Sequence, residues 1–234
     1  LESMVRLTSS LVDQKIDYRL ESALCKLWGT ETAWRVVDDL MQIRGGRGYE
    51  TSQSLASRGE NPEPVERFMR DSRINRIFEG SSEIMRLYLA REALDPHLRV
   101  AGAAMDTRLS AGKRLLAAGK AGLHYVAWYP GLHLPNPFAI PSEIRSGSRA
   151  ALAYVERTSR RLARSLFHAM ARHGPALEKR QLLLGRLVDV AAELYVLTAA
   201  HLQAGVILRN EAENAGATRA EIPTILAYLE KRTK

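Results

Sequence analysis

The sequence predicts an all-α protein in which an antiparallel up-and-down helical bundle is followed by a helical extension. Leu, Ala, Arg and Glu dominate the 234 residues, which contain only four Phe and nine Pro, and this balance favours helix over strand. Apolar residues also recur at helical spacing along almost the whole chain. No pair of strand-like segments, internal repeat or low-complexity segment is convincing.

The first elements are helices separated by glycine and proline. An apolar pattern over residues 1–12 breaks near 13–16 and is followed by a long helix over about 17–43. Its apolar stripe consists of Leu20, Leu24, Leu27, Trp34, Val37 and Met41. The pair Gly45-Gly46 ends this helix, because glycine readily adopts the positive φ that a helix stop requires.

A polar loop over residues 49–64 and one or two helical turns come next. Residues 75–80 form a connector, and a serine pair then caps a helix over about 83–94. We expect Asp95-Pro96 to close this helix, since proline lacks the N–H that a helix interior needs.

The second half of the chain begins with a basic segment, 107–129, and a proline-punctuated linker, 130–141. Long helices are predicted over about 142–172 and 177–210, with a short helix ending near Leu229. The predicted regions are a bundle portion (1–95), the basic segment with its linker (96–141) and a helical extension (142–234).

Composition restricts the classes of partner. The net charge of +8 suits nucleic acid, anionic lipid or an anionic ligand such as CoA. Nucleic acid is disfavoured, because no aromatic-rich basic strand and no Cys/His finger spacing is present. The single cysteine, Cys25, forms no internal disulfide and suits a reducing compartment.

Other site classes and targeting segments are also disfavoured. The histidines show no metal-ligand spacing, so no metal is predicted, and His201 on an apolar helix face is interpreted as a core residue. No apolar run approaches the ~20 residues that span a bilayer, and no signal peptide is recognisable. Because the chain begins without Met inside an amphipathic pattern, we expect a fragment whose N-terminus lies upstream.

Two local patterns carry chemistry, and the first is the glycine-rich segment 42–49. No strand precedes it and its spacing differs from GxGxxG, so a Rossmann site is excluded. Its glycines would let backbone N–H groups approach a phosphate, and Arg44 and Arg47 add positive charge. From the residues alone, a plain helix stop is the favoured alternative.

The second pattern places Glu79 between Phe78 and Gly80, just before a helix start. The free N–H groups of a helix N-terminus can bind an oxyanion, and burial of Glu79 against a substrate would raise its pKa toward that of a general base. The alternative, favoured by the residues alone, is that Glu79 only complements the helix dipole.

Together, the two patterns resemble a known family. Residues 42–49, Pro64–Arg67, Arg70-Asp71 and Ile77–Gly80, with Arg91-Glu92 beyond them, are similar in order and spacing to the C-terminal signature of the acyl-CoA dehydrogenases. By this resemblance, residues 1–94 correspond to the second half of that family's C-terminal helical bundle. Segments 18–34 and 178–195 are most similar to the very-long-chain branch, which carries an extra helical domain.

The resemblance implies FAD-dependent conversion of a fatty acyl-CoA thioester to the trans-2-enoyl-CoA. Glu79 would be the catalytic base that removes the pro-R α-proton, while the β-hydride leaves for N5 of FAD. The backbone N–H of Glu79 and a flavin ribityl hydroxyl would hydrogen-bond the thioester carbonyl. Gly80 would lie against the substrate, where a side chain would crowd the thioester.

The resemblance also implies the cofactor contacts and the partners. Ser81, Ser82 and Glu83 would face FAD, and the adenosine diphosphate half of FAD would meet a neighbouring subunit in a homodimer. The residues predicted to make that second contact are Gln42, Ile43, Arg44, Gly45 and Gly46. Electron-transfer flavoprotein is the expected electron acceptor, in the bacterial cytoplasm or the mitochondrial matrix.

Some features depart from the family pattern or leave alternatives. The loop 50–63 is longer than usual, and the absent upstream domains normally hold FAD, so this chain alone should bind FAD weakly without turnover.

Segment 107–129 carries four cations and no acid, with Leu109, Leu115, Leu116, Leu123 and Trp128. It is either an interfacial membrane helix or an ordinary packing helix. The alternative functions are an acyl-CoA oxidase and a non-catalytic scaffold.

Overall fold

A computed structural model describes residues 1–134, 136, 140, 144, 146–209 and 217–233 of the chain. These residues form helices and no strand, which confirms the all-α prediction. The helices are α1 (Glu2–Asp13), α2 (Arg19–Arg44), α3 (Gly46–Tyr49), α4 (Ser52–Ser57), α5 (Val65–Asn75), α6 (Ser82–Met105), α7 (Ala111–Gly131), α8 (Ser146–His173), α9 (Gln181–Arg209) and α10 (Ala217–Thr233), with a 3-10 helix (Gly174–Lys179) between α8 and α9.

The long helices lie close to their predicted positions, but some local predictions were wrong. Part of the polar loop 49–64 is helical, because the Thr51 hydroxyl accepts a hydrogen bond from the N–H of Ser54 and caps α4. Helix α6 does not end at Leu94 and continues through Pro96 to Met105. Its second half packs against α7, and this packing outweighs the hydrogen bond that Pro96 cannot donate.

One apolar core joins both halves of the described chain. Helices α1, α2, α6, α8 and α9 all contribute buried side chains to it, and α9 packs against both α1 and α6. The fully buried apolar side chains include Met4, Leu27 and Leu197. Helix α6 is therefore held in place by its packing against α9, and α5 packs against α2. The division into regions 1–95, 96–141 and 142–234 stays a prediction.

Aromatic side chains pack helix α7 against α6 and α8. His97 of α6 lies 5.1 Å from Trp128 between ring centroids, and Trp128 lies 5.8 Å from Phe167 of α8. Trp128 therefore packs against the protein, as in the packing alternative for segment 107–129, and does not belong to the apolar face that the interfacial alternative would turn to a membrane. Pro130 and Gly131, predicted as the start of the linker, belong to the last turn of α7. Of linker residues 132–141, the structure describes 132–134, 136 and 140, and the others lie outside the described residues.

Candidate active site

The connector between α5 and α6 is a tight turn with two consecutive residues in the left-handed region. Glu79 has φ of 52° and Gly80 has φ of 95°. Glycine adopts such angles freely, whereas a non-glycine residue there costs about 1–3 kcal/mol and persists only where its surroundings hold it. A side chain at position 80 would also meet the Met85 sulfur at 2.7 Å. The backbone that presents Glu79 is therefore strained and must be held by other contacts.

Helix α2 holds the turn from one side. The Lys26 ammonium group donates to the carbonyl oxygen of Phe78 at 3.3 Å and also to the carbonyl oxygen of Gly80. The two carbonyls flank Glu79, so one side chain fixes the backbone before and after it. At the end of the turn, the N–H of Ser82 donates to the carbonyl of Arg76 at 3.2 Å.

An ion pair fixes the start of the turn. Nε of Arg76 lies 2.9 Å from Oε1 of Glu31, and both side chains are about four-fifths buried. The guanidinium groups of Arg76 and Arg73 also lie over the Trp34 ring, 5.6 and 5.4 Å from its centroid. Burial alone would raise the pKa of Glu31, but the nearby Ser82 hydroxyl, the hydrogen bond from Arg76 and the positive charges of Arg76 and Arg86 outweigh burial and lower it.

The Glu79 carboxylate itself is accessible. Its side chain is exposed, and within the described part of the chain it forms no ion pair or hydrogen bond. The backbone N–H groups of Glu79, Gly80 and Ser81 likewise meet no acceptor among the described residues. A free carboxylate thus stands beside three unpaired donors at the N-terminus of a 24-residue helix, where negative charge is stabilised.

The three positions after the turn differ in accessibility. The Ser81 hydroxyl caps α6 by accepting from the N–H of Ile84 at 3.4 Å. Glu83 is exposed, whereas Ser82 is only 1% exposed and lies toward Glu31. The Ser82 side chain therefore shapes the turn from inside the protein, and the FAD-facing role of all three residues stays a prediction.

The glycine-rich segment forms a second corner at the far end of α2. Gly45 has φ of 58° and ends the helix as predicted. Ile43 is 82% exposed, and the buried Nε atom of Arg44 has no hydrogen-bond partner among the described residues. The corner thus offers an open surface beside an unsatisfied guanidinium donor, which suits an anion.

The structure does not bring the two predicted clusters together within one chain. Gln42 follows Lys26 by sixteen residues on α2, so it lies about 24 Å along the helix from the Glu79 turn. The assignment of residues 42–46 and Glu79 to the sites of different subunits stays a prediction.

Sequence reasoning missed the residues that hold the turn. Lys26 is half-buried beside the apolar Leu27 on α2, and the Glu31 side chain is about four-fifths buried. Charges buried to this extent require partners, but their burial is visible only in the structure. Their partners, moreover, lie 45 to 54 residues away in the chain.

Neither a metal site nor a membrane-spanning helix is found in the parts of the chain that the structure describes. No three His, Cys, Asp or Glu side chains converge there, and none of the helices is long and apolar enough to cross a bilayer. His201 is 2% exposed, with Nδ1 lying 3.1 Å from the Ser148 hydroxyl, so it is a core residue as predicted.

Comparison with known proteins supports the resemblance. Residues 1–94 match the sequence pattern of the acyl-CoA dehydrogenase C-terminal domain. A probable acyl-CoA dehydrogenase of Mycobacterium tuberculosis, FadE10, is 49% identical over 207 residues, which cover 87% of this chain and 32% of that protein. The mitochondrial very long-chain specific acyl-CoA dehydrogenase of Homo sapiens is 32% identical over 201 residues, covering 84% of this chain and 28% of that protein.

A solved structure shares the fold. The acyl-CoA dehydrogenase of Bacillus anthracis, complexed with FAD, superposes with a TM-score of 0.59 at 23% identity, covering 92% of this chain and 31% of that one. The chain therefore spans about a third of the length of the relatives it matches. Its sequence places the chain in the acyl-CoA dehydrogenase family, as a member that corresponds to the C-terminal part of these relatives.

Proposed function

We propose that the full-length protein oxidises a fatty acyl-CoA thioester to the trans-2-enoyl-CoA, with Glu79 as the catalytic base. The observation that carries this proposal is the free Glu79 carboxylate, held in a strained turn beside unpaired N–H groups at the start of α6. A positioned carboxylate can accept a proton from the carbon next to the thioester.

The chain's own groups supply the proton acceptor and the charge stabilisation. The Glu79 carboxylate takes the α-proton, and the Glu79 N–H donates to the thioester carbonyl as negative charge grows there. The α6 N-terminus adds to this stabilisation. FAD, when bound, supplies the acceptor for the β-hydride. Gly80 would lie against the thioester, and a side chain at position 80 would in addition crowd Met85.

The glycine-rich corner fits an anionic part of FAD. A Cβ atom at Gly45 or Gly46 would have no neighbour within 4 Å, so a ligand can approach the backbone of both residues. The orphaned Nε of Arg44 is a donor suited to a diphosphate. Because this corner lies about 24 Å along α2 from the Glu79 turn, we infer that it serves the neighbouring subunit's FAD in a homodimer.

Most of the remaining site lies outside this chain. The chain spans about a third of the length of its relatives, and the Glu79 side chain is exposed instead of being enclosed by the described residues. We therefore expect that this portion alone binds FAD weakly and does not turn over. Electron-transfer flavoprotein is the proposed electron acceptor, and the proposed compartment is the bacterial cytoplasm or the mitochondrial matrix.

A second proposed property is peripheral membrane contact through α7. Leu115, Leu116, Leu123 and Val126 are exposed and share one face of the helix. Lys113 and Lys120 are exposed on the same helix, a combination that suits the surface of an anionic bilayer. Arg108 does not add to this charge, because Asp106 pairs with it at 2.8 Å.

The test is an activity assay on the full-length protein reconstituted with FAD. Acyl-CoA thioesters should reduce an electron-acceptor dye, and the product should be the trans-2-enoyl-CoA. Turnover with molecular oxygen as the efficient acceptor would identify an acyl-CoA oxidase instead. Absence of any acyl-CoA oxidation in the FAD-loaded protein would favour the non-catalytic scaffold.

A further inference from the structure

We propose that Lys26 is a positioning residue that aims the Glu79 N–H toward the substrate side of the turn. The inference rests on the proposed function for what the N–H then binds. It goes further in assigning a role to a helix residue that lies 53 positions before Glu79 in the chain. Among the described residues, Lys26 alone contacts both carbonyls flanking Glu79.

The planarity of the peptide bond links the Phe78 carbonyl to the Glu79 N–H. In a trans peptide, the C=O of one residue and the N–H of the next point in opposite directions, and the described chain contains no cis peptide bond. Lys26 draws the Phe78 carbonyl toward α2. The Glu79 N–H, which belongs to the same peptide plane, must therefore point away from α2.

The same constraint applies at the peptide that joins Gly80 and Ser81. The Gly80 carbonyl is also bound by Lys26, so the Ser81 N–H points away from α2 as well. These two N–H groups have no acceptor among the described residues. One ammonium group thus orients two unpaired donors on the side of the turn opposite α2.

Lysine suits this task for a chemical reason. Its ammonium group has three N–H donors and no acceptor, so it can bind two carbonyl oxygens at once, and its flexible stem reaches the turn from a half-buried position on α2. The remaining contacts of the turn fix its outer ends: Arg76 pairs with Glu31, and the Ser82 N–H binds the Arg76 carbonyl. Neither of these contacts reaches the Phe78–Glu79 peptide or the Gly80–Ser81 peptide.

The test compares Lys26→Met, Lys26→Arg and Lys179→Met in the full-length, FAD-loaded protein. Lys26→Met keeps the apolar stem and removes the donors, whereas Lys179→Met removes an exposed cation elsewhere. We expect Lys26→Met to lower kcat about 10- to 100-fold with KM within about threefold. Lys26→Arg should recover most of the loss, and Lys179→Met should match the parent protein. A kcat for Lys26→Met within about twofold of the parent would overturn the proposal.

Crystal structures of the parent and Lys26→Met proteins give a readout that does not need turnover. In the parent, Glu79 and Gly80 should keep positive φ with both carbonyls on Lys26, and in the variant the Phe78–Glu79 peptide should rotate. An unrotated peptide in Lys26→Met would overturn the proposal even if activity fell. If the parent oxidises no acyl-CoA while the peptide rotates as expected, the proposed function fails and the positioning role of Lys26 stands.

Discussion

A Cβ atom at Gly48 would lie 2.7 Å from the carbonyl oxygen of Met41. The neighbouring atom belongs to the backbone of α2, which cannot move aside as a side chain would. Gly48 is buried, and its N–H donates to the carbonyl of Gly45 at 2.9 Å. In the glycine-rich corner, the backbone at position 48 therefore lies so close to the backbone of α2 that only glycine fits there.

We predict that Gly48→Ala destabilises the full-length protein by about 1–3 kcal/mol, the usual range for overpacking a tight contact. Gly102→Ala is the matched control, because nothing lies within 4 Å of the corresponding Cβ and alanine favours a helix interior. Urea unfolding measures both. Equal stabilities for the two variants would contradict the close contact at Gly48.

Folding stability should depend on pH through His201. Burial lowers the pKa of His201, and the Glu230 carboxylate, 3.4 Å from Nε2, only partly offsets this effect. The unfolded chain, with an ordinary histidine pKa near 6.5, then binds more protons than the folded one. The contribution of His201 to stability is therefore present above about pH 6.5 and is lost as pH falls below it.

The His201→Gln variant tests this dependence. Glutamine can still hydrogen-bond Ser148 but does not titrate, so its unfolding midpoint should fall less between about pH 7 and pH 5 than that of the parent. His97, whose pKa is lowered by burial and by the nearby His124, should leave a residual slope in the variant. Identical slopes would show that His201 is equally protonated in both states.

The proposed membrane contact through α7 can be tested by sedimentation of the protein with lipid vesicles. The parent protein should sediment with vesicles containing anionic lipid at low salt and should be released as salt rises. Leu116→Asp combined with Leu123→Asp should weaken sedimentation at least about tenfold, because charge on the apolar face opposes insertion. Leu182→Asp, at an exposed leucine of α9, is the control. Absence of parent binding at low salt would discard the interfacial helix.

The sequence predicted those elements that depend on local patterns. Helical periodicity located the long helices, and Gly45 marked the end of α2. The path of α6 through Pro96 could not be predicted, because it depends on packing against α7, and the same packing turns Trp128 inward. The positive φ of Glu79 and its support by Lys26 also required the tertiary arrangement, since no local pattern joins residues so distant in the chain.

The role of Glu79 is tested most directly by Glu79→Gln in the FAD-loaded full-length protein. Glutamine keeps the size of the side chain and removes the carboxylate that accepts the α-proton, so kcat should fall at least about 1,000-fold while FAD content and thermal stability stay unchanged. We therefore expect loss of turnover in a properly folded, FAD-bound variant. Turnover within about tenfold of the parent would show that another group removes the proton.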